Sequence, residues 1–143
     1  MKHPFIFQPG LWQGEGVISF SMAEDQFPFV MRWNIEPSEE GLYRFDQLVE
    51  VDDFTENMHN HFVVSKVGES SFNIALQNHL VGKVEGKGVI NDNVLAWEFR
   101  ENEQGFEGFE IYEQKGDVYL MRAEFSAGDG LRTYIKGKIA LQH

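Results

Sequence analysis

From Leu11 onward, large apolar side chains fall on alternate positions, and nowhere do they recur at the three-to-four spacing of an amphipathic helix. In Leu11–Met22, Trp12, Gly14, Gly16, Ile18, Phe20 and Met22 share one face against Gln13, Glu15, Ser19 and Ser21 on the other. Phe27–Glu36 repeats the pattern, with Phe27, Phe29, Met31, Trp33 and Ile35 opposed to Arg32 and Asn34. Period-two alternation of this kind marks a half-buried strand. It predicts further strands over Gly41–Asp52, His59–Val67, Ser70–Gln77, Leu80–Ile90, Val94–Glu101, Phe106–Gln114, Asp117–Ser126 and Leu131–Leu141. Phe106–Tyr112 alternates poorly, so its inward face is open, and Asp53–Met58 alone has room for a helical turn.

Short polar segments separate the strands: Ala23-Glu24-Asp25-Gln26, Pro37-Ser38-Glu39-Glu40-Gly41, Gly68-Glu69, Asn78-His79, Asn91-Asp92-Asn93, Lys115-Gly116 and Gly128-Asp129-Gly130. These are turn-forming residues, and such short connections make successive strands antiparallel neighbours. A meander this long must hide its two edges, and closure into a barrel removes them. The expected fold is therefore all-β, an antiparallel up-and-down barrel of about ten strands in a single domain over residues 1–143. Same-face glycine pairs, Gly14/Gly16 and Gly86/Gly88, let a strand bend sharply or approach another backbone, as closure of a small barrel requires.

Composition narrows the function classes. Hydrophobic residues make up 42% of the chain and aromatics 14%, an apolar load that excludes a disordered chain. The net charge of −11 repels phosphate backbones and anionic membrane surfaces, which argues against nucleic acid and membrane adhesion. No stretch reaches the length of a transmembrane helix, and the N-terminal residues lack the apolar run of a signal peptide; a cytoplasmic protein is expected. With no cysteine, disulfides and thiolate metal sites are excluded.

Gly10-Leu11-Trp12 opens the first strand as Gly-x-Trp, Gly14-Glu15-Gly16 follows, and the last strand carries Arg132, Lys136 and Lys138. This arrangement resembles the calycin superfamily of lipocalins, fatty-acid-binding proteins and their relatives. The resemblance implies that Trp12 plugs one barrel end and that a basic side chain, Arg132 by position, lies over it with a cation–π contact. The direct hairpin after the first strand leaves no room for the helical lid of fatty-acid-binding proteins. With about ten strands, the chain looks more like nitrobindins and other small bacterial calycin-like barrels. Nitrobindins bind haem through a histidine in a late strand; Leu131–Leu141 has none and His143 lies at the very end, so no cofactor is assigned.

Candidate chemistry is sparse. His59-Asn60-His61 puts two imidazoles on one strand face, but the inward phase belongs to Phe62 and Val64, so both histidines face water and no metal site is assigned. The acids Asp52-Asp53, Glu98, Glu101, Glu103, Glu107, Glu110 and Glu113 occupy turns or polar strand faces and read as a solvated surface rather than paired catalytic carboxylates. Ser70 and Ser71 near His79 lack a nucleophile elbow, and no helix follows either Gly-x-Gly run to cradle a phosphate. No catalytic residue is assigned.

The interior is the strongest candidate. Phe29, Met31, Trp33, Phe45, Phe62, Phe72, Trp97, Phe99, Tyr119, Met121 and Phe125 project to one side of the sheet, and Gln47 and Asn60 are the polar groups among them that would orient a ligand. The same rings either line a cavity or fill it. The expectation is non-catalytic binding of a small, mostly hydrophobic molecule. The alternatives are an isomerase- or cyclase-like enzyme of the same fold, or a filled barrel acting as a protein-interaction module, including a homodimer.

Overall fold

The computed structural model describes residues 3–126 and 130–142. Ten strands follow one another: β1 Gly10–Phe20, β2 Gln26–Ile35, β3 Tyr43–Val51, β4 Met58–Ser65, β5 Ser71–Asn78, β6 Gly82–Ile90, β7 Val94–Phe99, β8 Glu107–Lys115, β9 Val118–Ser126 and β10 Arg132–Leu141. Each pairs antiparallel with its sequence neighbours, and β1 pairs with β10 to close the barrel. Among the described residues there is no helix; residues 53–57 form a loop and Met58 begins β4. No described helix is therefore long and apolar enough to cross a membrane.

Alternation sets the two faces. Trp12, Gly14, Gly16, Ile18 and Phe20 point inward from β1 and pair with Leu141, Ile139, Gly137, Ile135 and Thr133 of β10. At this seam a Cβ on Gly16 would stand 2.0 Å from the carbonyl oxygen of Lys136, so only glycine lets the two backbones come so close. Elsewhere rings take the vacated space: the Phe72 ring occupies the position a Gly88 side chain would need. The tight β8–β9 hairpin turns on Gly116, at φ 62°, in a two-residue loop with glycine first.

The barrel has two unlike ends. At the floor, where β1 begins and β10 ends, the segment before β1 folds back under the strands. A Gln8 N–H to Pro4 carbonyl bond of 3.1 Å closes one turn and leaves Phe5, Ile6 and Phe7 buried, with Ile6 in the left-handed region at φ 64°. That conformation is costly for a β-branched side chain, so the burial must outweigh it. The Phe5 ring packs against Trp12, Trp33, Tyr112 and Tyr119 at centroid distances of 4.9 to 5.4 Å. His3 pins the segment: its Nδ1 lies 2.7 Å from the Tyr119 hydroxyl and its Nε2 2.7 Å from the Asn91 carbonyl oxygen.

Trp12 thus sits at the floor, covered by Phe5 and Tyr119. Arg132 does not cover it, and this corrects the expectation drawn from the resemblance. The antiparallel register pairs Trp12 with Leu141, whereas Arg132 begins β10 at the opposite end, exposed and paired with Ser126. Nine residues of strand, roughly 30 Å, separate the two ends of β10.

Candidate functional site

The barrel interior is packed at the floor, and its inward side chains are less completely buried toward the mouth. In the lower half Trp33, Phe45, Phe62, Trp97 and Tyr112 form a continuous ring cluster, with Phe45 and Phe62 stacked at 4.9 Å and Trp97 against Tyr112 at 5.1 Å. Phe72, Tyr119 and Met121 are buried beside them. The sequence left open whether the rings line a space or fill it; in this half they are in mutual contact.

Toward the mouth the inward side chains become half-buried. Phe20, Phe27, Val49, Val51, Phe106, Phe125 and Ile135 pack on the core yet keep part of their surface in water. They gather into two aromatic groups on different walls. Phe20, Phe27 and the loop residue Phe54 meet at 5.4 to 6.2 Å on the β1–β2 side. Phe99, Phe106 and Phe125 meet at 5.5 to 5.9 Å on the β7–β9 side. Water still reaches these inward apolar side chains, and the exposed Met22, Phe54 and Leu80 stand in the loops at the same end.

A row of polar side chains crosses the inner wall between the two groups. Asn78 Nδ2 donates to Asn60 Oδ1 at 2.9 Å, and Asn60 Nδ2 donates to Gln47 Oε1 at 2.7 Å. Gln47 Nε2 reaches the Met31 sulfur at 3.7 Å. Gln47 lies directly across from Trp33 in the β2–β3 ladder and from Asn60 in the β3–β4 ladder, so these residues are neighbours in one band. The Asn78 oxygen accepts the N–H groups of Leu80 and Val81 and so fixes the rim loop that begins at the top of the row. At the lower end the buried Trp33 indole N–H has no hydrogen-bond partner among the described residues, a rare and costly state for a donor.

A second polar group was not expected inside. Glu110 was read as part of a solvated acidic face, yet it is 4% exposed and points into the barrel. The register carries it there: Gly108 pairs with Phe125, Glu110 with Ala123 and Tyr112 with Met121, all inward positions of β9. Its oxygens are divided between two donors, Trp97 Nε1 at 2.8 Å and the Tyr112 hydroxyl at 2.6 Å. Burial pushes the carboxyl up to about 7, against the lowering pull of the Tyr112 and Trp97 hydrogen bonds. Burial, with Glu110 beside it, raises the Tyr112 hydroxyl well above its ordinary range. The available signal in the sequence was Tyr112 two residues after Glu110, which puts an acid and a phenol on the same strand face.

The other assigned lining residues, Phe29, Met31, Phe99 and the half-buried Asn60, lie on the inner face as well. His59 and His61 point outward, and His61 pairs with Asp46. Among the described residues no three His, Cys, Asp or Glu side chains gather as a metal site would require. His143 lies outside the described residues.

No protein-family model and no curated protein sequence matches the chain. Solved structures do. Rv2717c from M. tuberculosis superposes with a TM-score of 0.72 at 11% identity, over 94% of this chain and 92% of that one. The S-type phycobiliprotein lyase CPES from Guillardia theta superposes at 0.68 and 13% identity, over 95% and 89%. EF1p2_mFAP2b bound to DFHBI reaches 0.47 at 15% identity, over 95% and 94%. The property shared with the first two at these identities is the fold, a closed, ten-stranded antiparallel barrel.

Proposed function

We propose that the protein binds a small, mostly hydrophobic molecule at the barrel mouth without converting it. One observation carries this reading: Phe20, Phe27, Val51, Phe106, Phe125 and Ile135 remain half-buried at the mouth, whereas the other end is plugged by the buried Phe5, Ile6 and Phe7. A ligand lying between Phe27 and Phe106 would withdraw that surface from water, at about 25 cal/mol per Å² of apolar area. Gln47 and Asn60, at the base of the space, supply the few polar contacts that orient an otherwise apolar guest. Phe29, Met31 and Phe99 form the wall beside the space, mouthward of Gln47, while Trp33, Phe45, Phe62, Phe72, Trp97, Tyr119 and Met121 support the site from the packed half. The fold shared with a phycobiliprotein lyase is compatible with this use and assigns no ligand. A cytoplasmic setting belongs to the same reading, and the acidic charge argues against nucleic-acid partners.

The packed floor favours a second reading, in which the barrel is a scaffold and its outer wall the working surface. The two separate in one experiment. Titration with the neutral fluorophore N-phenyl-1-naphthylamine should give saturable binding that weakens about tenfold or more in Val51→Glu, since a charge at the mouth must be desolvated by the guest. Absence of saturation, or unchanged affinity in a folded Val51→Glu variant, would overturn the ligand reading.

A further inference from the structure

The outer wall carries an open trough of about 820 Å³, running along β5 on the side of the sheet away from the mouth residues. Its shape follows from side-chain size at outward positions. Val63 of β4 pairs with Ala75 of β5, and Ala75 with Glu85 of β6, so a valine and an alanine form the floor between longer neighbours. Arg44 and Lys66 rise on one side; Lys83, Lys87 and Arg100 rise on the other.

The charge of this surface is opposite to that of the molecule. The chain has 23 acidic side chains and 12 Lys and Arg. Five of those cations line this one trough. Arg100 is paired with Glu98 at 3.3 Å. Among the described residues no carboxylate comes within ion-pair distance of Arg44, Lys66, Lys83 or Lys87.

We infer that the trough is a docking site for an extended, acidic segment of a partner protein. Five consecutive residues of β5, Asn73 to Gln77, line it over roughly 16 Å, a narrow stretch suited to an extended chain rather than a globular contact. Because the barrel is closed, an incoming chain finds no free edge to join as an added strand. Recognition must come from side chains: apolar residues on the Val63–Ala75 floor, and carboxylates alternating toward the two cationic walls. Glu85, Glu98 and Glu101 stand among the cations, which penalises a continuous phosphate backbone and favours spaced negative charges. Docking here is independent of ligand binding at the mouth.

The test is fluorescence anisotropy of the full chain with a labelled octapeptide of alternating Glu and Val. Saturable binding is expected, weakening with salt and falling about tenfold or more in the double variant Lys83→Glu/Lys87→Glu. Ala75→Trp, which fills the floor without altering charge, should weaken it as well, and circular dichroism identifies whichever variant remains folded. Lack of saturation, equal binding of the matching Lys–Val peptide, or unchanged affinity in a folded charge-reversal variant would overturn the proposal. Tighter binding of a single-stranded oligonucleotide than of the acidic peptide would overturn it too, in favour of a nucleic-acid surface.

Discussion

Tyr112 donates its hydroxyl to Glu110, two residues earlier on β8, across 2.6 Å of barrel interior from which water is excluded. The folded state holds the carboxyl proton up to about pH 7, whereas an unfolded glutamate releases it near 4.5. Between those values the folded chain binds the extra proton, so stability from this group is fully present below about 4.5 and is lost as pH rises through about 7. The loss should be of order 3 kcal/mol across the window. Urea unfolding of wild type and Glu110→Gln from pH 4 to 8.5 measures it: the difference between the two should change across that window, and parallel curves would contradict the assignment.

Phe5 is the keystone of the floor. Phe5→Ala should cost about 3–5 kcal/mol, because the vacated space is ringed by Trp12, Trp33, Tyr112 and Tyr119, which cannot collapse into it. An apolar vacancy of that size takes up a benzene-sized molecule. Unfolding midpoints with and without dissolved benzene should show a rise in the variant and little change in wild type.

The His3–Tyr119 contact ties the plug to β9. Burial pushes the Tyr119 hydroxyl up to about 12, against a lowering backbone hydrogen bond at Phe5, so it remains a neutral phenol at physiological pH. A double-mutant cycle of His3→Ala and Tyr119→Phe should return a coupling of about 1 kcal/mol. Additive single effects would show that the 2.7 Å contact contributes nothing of its own.

Two glycines should respond to alanine in different ways. Gly16→Ala drives a methyl against the Lys136 carbonyl and the Gly137 Cα, forcing the β1–β10 seam apart at a cost of about 3 kcal/mol or more. Gly41→Ala meets nothing within 4 Å and incurs only the backbone penalty of its φ of 79°, about 1–2 kcal/mol. Thermal melts of the two variants order these costs directly.

Strand count, pairing and inward phase were readable because one face of each strand meets a core, and a slip of one residue would turn all its apolar side chains to water. One omission and two misreadings arose where that signal gives no guidance. His3–Pro9 packs its Phe-Ile-Phe run through a single turn rather than a pleat, so periodicity carries no trace of its burial. Glu110 lies in a strand whose outward positions, Phe109 and Ile111, are as apolar as its inward ones, so phase is fixed by pairing with β9 rather than by composition. Arg132 was placed from the resemblance, and register alone decides which end of β10 approaches Trp12. The trough along β5 depends on side-chain lengths across four neighbouring strands, a relation no single stretch of sequence contains.

The β1–β10 seam also governs how the chain reaches this state. The first strand's partner is the last strand of the barrel to be made, so until Arg132–Leu141 is synthesised the nascent sheet has two open borders and a core with one wall missing. Pairing across more than a hundred residues makes the final step slow. Surplus negative charge, which keeps such half-built sheets from sticking to one another, protects the chain most during that interval.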